Sequence, residues 1–142
     1  MNKIIVAVDD SEHSMRAVEK AKELGKAFDS NIVLVTVTEF IHHNYEYATR
    51  YLDEIKEIEE SKKQSEAILE KNKARLRELG DKVETVMLEG DPAYSLIQYI
   101  KSSDADLVII GSHGVKGLRQ FMLGSVVSKI VHHVDKSVMI VR

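Results

Sequence analysis

Five short apolar runs constrain this chain more than any other feature: "IIVAV" (4–8), "IVLVTV" (32–37), "VETVML" (83–88), "LVII" (107–110) and "VMIV" (138–141). Most are nearly continuous and β-branched, without the alternation of a strand that keeps one wet face. They read as strands covered on both faces, the pattern of a parallel sheet with helices above and below. "VETVML" alternates somewhat and is expected near a sheet edge.

Helical spacing fills the gaps between the runs. Met15, Val18, Ala21, Leu24 and Phe28 recur at intervals of three and four, with Ser11 placed to cap and Glu12 in the first turn. A long charged segment over 46–79 has Leu52, Ile55, Ile58, Leu69, Leu76 and Leu79 on its expected buried side. Its weakly apolar middle, around Lys62 and Ser65, leaves room for a kink or a mobile first half. In "DPAYSLIQYI", Asp91 can cap and Pro92 suits the first helical position, so that Leu96, Ile97 and Ile100 face the core. A last helix over 124–134 is expected to bury Val127, Ile130 and Val131.

The order is therefore βαβαβαβαβ. Parallel neighbours need crossover connections, which makes a doubly wound, three-layer α/β/α domain the expected architecture. With 142 residues, 44% of them apolar, one core and one domain over 1–142 are expected, without a linker. In such sheets ligands sit beyond the carboxyl ends of the strands, where strand order reverses. "DDS" follows the first strand and "GSHG" the fourth, so both loops open on one crevice if those strands are neighbours.

Charge narrows the partners. The net charge is −3 with both signs interspersed, which lacks the basic stripe of a nucleic-acid binder and the polybasic patch of a membrane-surface protein. The absence of cysteine excludes disulfides, thiolate metal sites and a Cys nucleophile. "MNKIIVAVDD" has too short an apolar run for a signal peptide or a membrane span of about 20 residues, so a soluble, cytoplasmic protein is expected.

Four of the seven glycines, Gly111, Gly114, Gly117 and Gly124, fall in "GSHGVKGLRQFMLGSVV". Glycine lets a ligand approach the main chain, and a helix start offers unpaired N–H groups and the positive end of its dipole. With the Ser125 hydroxyl and a cation from Lys116 or Arg119, the stretch reads as a phosphate cradle. A plain connecting loop is the alternative, and glycine spacing alone does not separate the two. No G-K-S or G-K-T occurs, and no G-x-G-x-x-G follows the first strand, so neither a P-loop ATPase nor a nicotinamide enzyme fits.

Gly111, two residues, Gly114, nine residues, Gly124, Ser125 resembles the nucleotide-binding motif of the universal stress protein family, in its ATP-binding glycine-motif branch. The resemblance covers the chain. "KIIVAVDDSEHSMRAVEKA" is similar to the family's opening strand, aspartate loop and first helix, "GDPAYSLIQYIKSSDADLVIIGSHG" to its third helix and fourth strand, and "LGSVVSKIVHHVDKSVMIVR" to its closing helix and strand. The resemblance implies a Rossmann-like fold, ATP binding, homodimers and a role in stress response. The expected sheet order is 3-2-1-4-5.

Carried over by position, Asp9 and the backbone around Ala7 and Val8 would face adenosine, with Val37 beside the adenine. Gly111, Ser112, His113, Gly114 and Val115 would line the ribose and phosphates, and Gly124, Ser125 and Val126 would donate to the triphosphate. One departure stands out. The ATP-binding branch usually has a hydroxyl residue two places after the motif serine, where this chain has Val127. That loss points toward AMP or ADP, or toward weaker binding, by about 0.5–1.5 kcal/mol for a neutral hydrogen bond.

Other residues carry less. Asp9 and Asp10 suit a divalent cation such as Mg accompanying the phosphates, although a solvated Asp10 is the simpler reading. Adjacent histidines at 42–43 and 132–133 point in different directions, so no protein metal site is expected. Ser11, Ser112 and Ser125 lack a nucleophile elbow or an identifiable base, so no catalytic residue is assigned, and any ATPase turnover should be slow. The S-G-G-x-D-S loop of the ATP-pyrophosphatases is missing. The last strand, expected at a sheet edge, either pairs with a second copy or is covered by its own chain. The resemblance implies a two-fold dimer through Val138, Met139, Ile140 and Val141. The rival reading is a dimeric interaction module with a degenerate nucleotide site.

Overall fold

The computed structural model describes residues 1–39, 49–114 and 123–142, with side chains from 52 onward in the second of these segments. Five parallel strands form one sheet: β1 (Lys3–Ala7), β2 (Asn31–Thr38), β3 (Val83–Glu89), β4 (Leu107–Gly111) and β5 (Ser137–Val141). Their order is β3-β2-β1-β4-β5, as expected, and β3 is an edge. The connections contain α1 (Glu12–Phe28), α2 (Thr49–Arg75), α3 (Pro92–Ser102) and α4 (Ser125–His133), and a 3-10 segment, Arg77–Lys82, leads into β3.

Side-chain alternation along the strands builds two cores. Ile4, Val6, Val8, Ile32 and Leu34 face Ala17, Val18 and Ala21 of α1, Leu69 of α2 and Leu76 just after it. Ile5, Ala7, Val33, Val35, Val108 and Ile110 face Leu96, Ile97 and Ile100 of α3 and Val127 and Ile130 of α4. The central β1 is buried at Ile4 through Ala7, which is why its run shows no polar alternation.

Helix ends follow the local chemistry. Ser11 accepts from Ser14 N to cap α1, and Asp29, in the left-handed region at φ 55°, closes it with its N–H on the Gly25 carbonyl. Asp91 accepts from Tyr94 N to cap α3, ahead of Pro92.

Four expected core positions are not core. Phe28, the last residue of α1, is 55% exposed, and Val131 is 43% exposed because the nine-residue α4 buries only its Val127 and Ile130 side. Leu52 and Ile55 are also exposed. The cause is length: the 27 residues of α2 span ~40 Å, whereas the eight of β2 span ~27 Å. Thr38, at the carboxyl end of β2, donates to Ser65 Oγ at 2.6 Å, and Lys62 pairs with Glu89 at the end of β3. The turns of α2 before Lys62 therefore lie beyond the end of the sheet, with none of the described strands beneath them. Around Ser65 the helix is unbroken, and the chain departs from α-helix only after Arg75.

Candidate functional site

The sheet order places β1 and β4 side by side, with β2 running to Val35 and beyond on the other flank of β1. Their carboxyl ends open on a cavity of about 380 Å³, within the range of small-molecule sites. Ala7, Val8 and Asp9 form one wall; Val37 and Glu39 continue it from β2, and Gly111, His113 and Gly114 close it after β4. Gly124, Ser125, Val126, Val127 and Lys129 approach from α4, and Asp91, Pro92, Ala93 and Leu96 from α3.

Three helix N-termini thus meet at one cavity. Two carry a side-chain cap, Ser11 accepting from Ser14 N on α1 and Asp91 from Tyr94 N on α3. The third begins at Gly124, which has no side chain to cap α4. Gly124 N donates to the Ser112 carbonyl at 2.8 Å, which ties the start of α4 to the end of β4. The open N-terminus and its dipole favour an anion.

Asp9 is held rather than loose. Its Oδ1 accepts from Ser11 N at 2.9 Å and from Ser11 Oγ, while its own N–H donates to Ser14 Oγ at 2.9 Å. Ser11 Oγ also lies 3.4 Å from the His113 carbonyl. One small network therefore links the loop after β1, the first turn of α1 and the loop after β4. Asp10 points away, 68% exposed, with Lys71 at 3.6 Å.

The glycines divide into two kinds. A Cβ at Gly111 would lie 2.7 Å from the His13 carbonyl carbon, and one at Gly114 would lie 2.9 Å from Asp9 Oδ2. At Gly111 the obstruction is main chain and demands glycine, whereas at Gly114 it is the end of one carboxylate side chain. At Gly124 the nearest atom to an added Cβ is the Ser112 carbonyl oxygen at 3.4 Å, so that position is not closed to a side chain by the fold. The sequence treats the three alike; packing distinguishes them.

Of the expected nucleotide residues, Ala7, Val8, Asp9, Val37, Gly111, His113, Gly114, Gly124, Ser125 and Val126 line the cavity. Ser112 does not: it is 2% exposed, its hydroxyl engages His113 Nδ1 at 3.0 Å, and its N–H donates to the Val141 carbonyl. Val115, Lys116, Gly117, Arg119, His42 and His43 lie outside the described residues. His132 and His133 are exposed, and no group of three or more His, Asp or Glu among the described residues is arranged to hold a metal. No helix among the described residues is long and apolar enough to cross a membrane.

Sequence reasoning missed Ser14, Glu39 and Lys129. Lys129 had a usable signal, since it lies four residues after Ser125 and so shares its helix face. The structure puts that ammonium-bearing side chain on the cavity wall. Val127, 3% exposed, belongs to the α3–α4 core and contributes methyl groups at the cavity floor.

The sequence model of the universal stress protein family matches residues 1–142. Universal stress protein YxiE of Bacillus subtilis is 32% identical over 148 residues, covering 99% of each chain. Universal stress protein UspA from Lactobacillus plantarum superposes with a TM-score of 0.86 at 18% identity, covering 99% of this chain and 97% of that one. A universal stress protein family protein from Arabidopsis thaliana, solved with AMP bound, gives 0.69 at 23% identity over 99% and 91%. The Archaeoglobus fulgidus universal stress protein in complex with dAMP gives 0.65 at 17% over 100% and 98%. Fold, sheet order and sequence agree: this chain belongs to the universal stress protein family.

Proposed function

We propose that this protein is a homodimeric, adenine-nucleotide-binding regulator of the stress response, with slow or no ATP hydrolysis. The observation that carries the reading is the start of α4, which has no side-chain cap, on a cavity where the other two helix N-termini each have one. Relatives of the same fold solved with AMP and dAMP support the ligand class.

In this reading Val37 and the backbone at Ala7 and Val8 flank the adenine, and Asp9, fixed by Ser11, faces the ribose. Gly111, His113, Gly114 and Val115 line the ribose and first phosphate, with Ser112 supporting from behind. Gly124, Ser125 and Val126 donate to the phosphates, and Lys129 adds a positive charge on the same helix face. Bound Mg accompanies a di- or triphosphate as a counterion to its phosphates.

Val127 offers methyls where a hydroxyl would donate, a loss of about 0.5–1.5 kcal/mol that tilts preference from ATP toward ADP or AMP. No lysine follows a P-loop glycine to position and neutralise the phosphates, so turnover is slow and function rests on the bound state.

The test has two parts. Protein purified without added nucleotide is denatured and the released small molecule weighed; AMP, ADP or ATP is expected. Gly124→Val is then titrated calorimetrically with each, and loss of binding in a folded protein is expected. Unchanged affinity in that variant would sink the phosphate seat, and a wild type that neither carries nor binds any of the three would instead be a nucleotide-independent interaction module.

A further inference from the structure

His113 is 8% exposed, and its ring is secured at one atom only. Nδ1 meets the neighbouring Ser112 hydroxyl at 3.0 Å, whereas Nε2 is buried without a hydrogen-bond partner among the described residues. Nothing polar among them fixes the ring's orientation at Nε2. What lies against it is the imidazole of His13, in the first turn of α1, with centroids 5.1 Å apart and planes tilted by 54°. That separation and tilt lie in the range in which aromatic rings attract.

The surrounding backbone is built to permit this contact. Gly111 leaves space for His13, whose main chain and Cβ would come within 2.7–2.9 Å of any added Cβ. The main chain of His113 also touches the phosphate seat: its Cα is 3.5 Å from where a Gly124 Cβ would be, and the adjoining Ser112 carbonyl holds Gly124 N. The His113 ring is therefore anchored on the same short stretch of backbone that fixes the start of α4.

We infer that His13 is a positioning residue for the nucleotide site. It does not line the cavity; it braces the His113 ring from behind and so holds the Ser112–Gly114 backbone in the arrangement that receives the ligand. The inference rests on the proposed nucleotide function and goes beyond it, because His13 lies outside the glycine motif and the aspartate position.

A double-mutant cycle tests it, with AMP, ADP and ATP as titrants and the melting temperature of each ligand-free variant as a fold control. His13→Ala is expected to weaken binding roughly three- to ten-fold, about the worth of one ring–ring contact. His13→Phe, which keeps a ring at the position, should restore most of that loss. The double variant with His113→Ala should bind no worse than His113→Ala alone, since His13 acts through that ring.

Binding by His13→Ala within two-fold of wild type, or additive losses in the double variant, would overturn the positioning role while leaving the nucleotide reading intact. A wild type that binds none of the three nucleotides overturns both.

Discussion

At the scale of single residues, the glycines show how one sequence motif hides different physical demands. Gly111 is required by the close approach of the His13 main chain and Gly114 lies against the Asp9 carboxylate, whereas Gly124 faces the cavity with room beside it. Gly111→Ala should therefore destabilise the fold by about 1–3 kcal/mol, because the obstructing atoms are backbone and cannot rotate away. Gly124 has φ −60° and no neighbour closer than 3.4 Å to a new Cβ, so Gly124→Ala should melt close to wild type. Thermal melts of the two variants check this; equal destabilisation would refute the distinction. The spacing of the glycines was legible in the sequence. The reason for each was not, because His13 approaches Gly111 only once α1 has packed beside β4.

At the scale of elements, caps and periodicity made the helices readable, since Ser11, Asp91 and Pro92 act through neighbours a few residues away. Burial along α2 was less readable. Ser65 and Asn72 are buried polar residues on a helix whose apolar Leu52 and Ile55 are exposed. The sheet below, not the helix's own pattern, determines which turns are covered. The same dependence on neighbours governs β5, whose pairing with β4 leaves its other edge without a strand. Val138, Met139, Ile140 and Val141 are only half-buried, which suits the proposed two-fold contact. Met139→Lys should shift sedimentation from dimer toward monomer while circular dichroism stays native. A variant that still sediments as a dimer would place the contact elsewhere.

At the scale of the molecule, the charged groups whose titration the fold shifts lie at the end of the sheet opposite the cavity. The Lys3 ammonium holds the Asp104 carboxyl below its usual range, and the Lys3 and then Asn2 backbone amides do the same for Asp106. Lys26 and then Lys22 lower Glu78. Carboxylates with depressed folded values contribute stability above their unfolded values near 4, and lose it as pH falls through the lower folded ones. Lys3, raised chiefly by its hydrogen bond to Asp104, contributes fully below about 10.4 and loses that contribution as pH rises through its folded value. The melting temperature should accordingly stay level near neutrality and fall below about pH 4, with a shallower acid fall in Asp106→Asn. An unchanged acid limb in that variant would contradict the assignment. These groups are solvent-exposed, so salt should weaken the effect.

Sequence alone determined what depends on near neighbours and on average composition: five strands, four capped or periodic helices, a parallel doubly wound sheet and the family. Tertiary structure decided what depends on distance across the fold. It separated the glycines that accommodate His13 and Asp9 from the one that opens α4, brought Lys129 to the cavity wall and set His13 against His113. The physical reason is range: caps and amphipathic stripes are set by residues within one or two turns. A 2.7 Å approach between residues 98 apart in the chain, His13 and Gly111, exists only after the sheet has assembled.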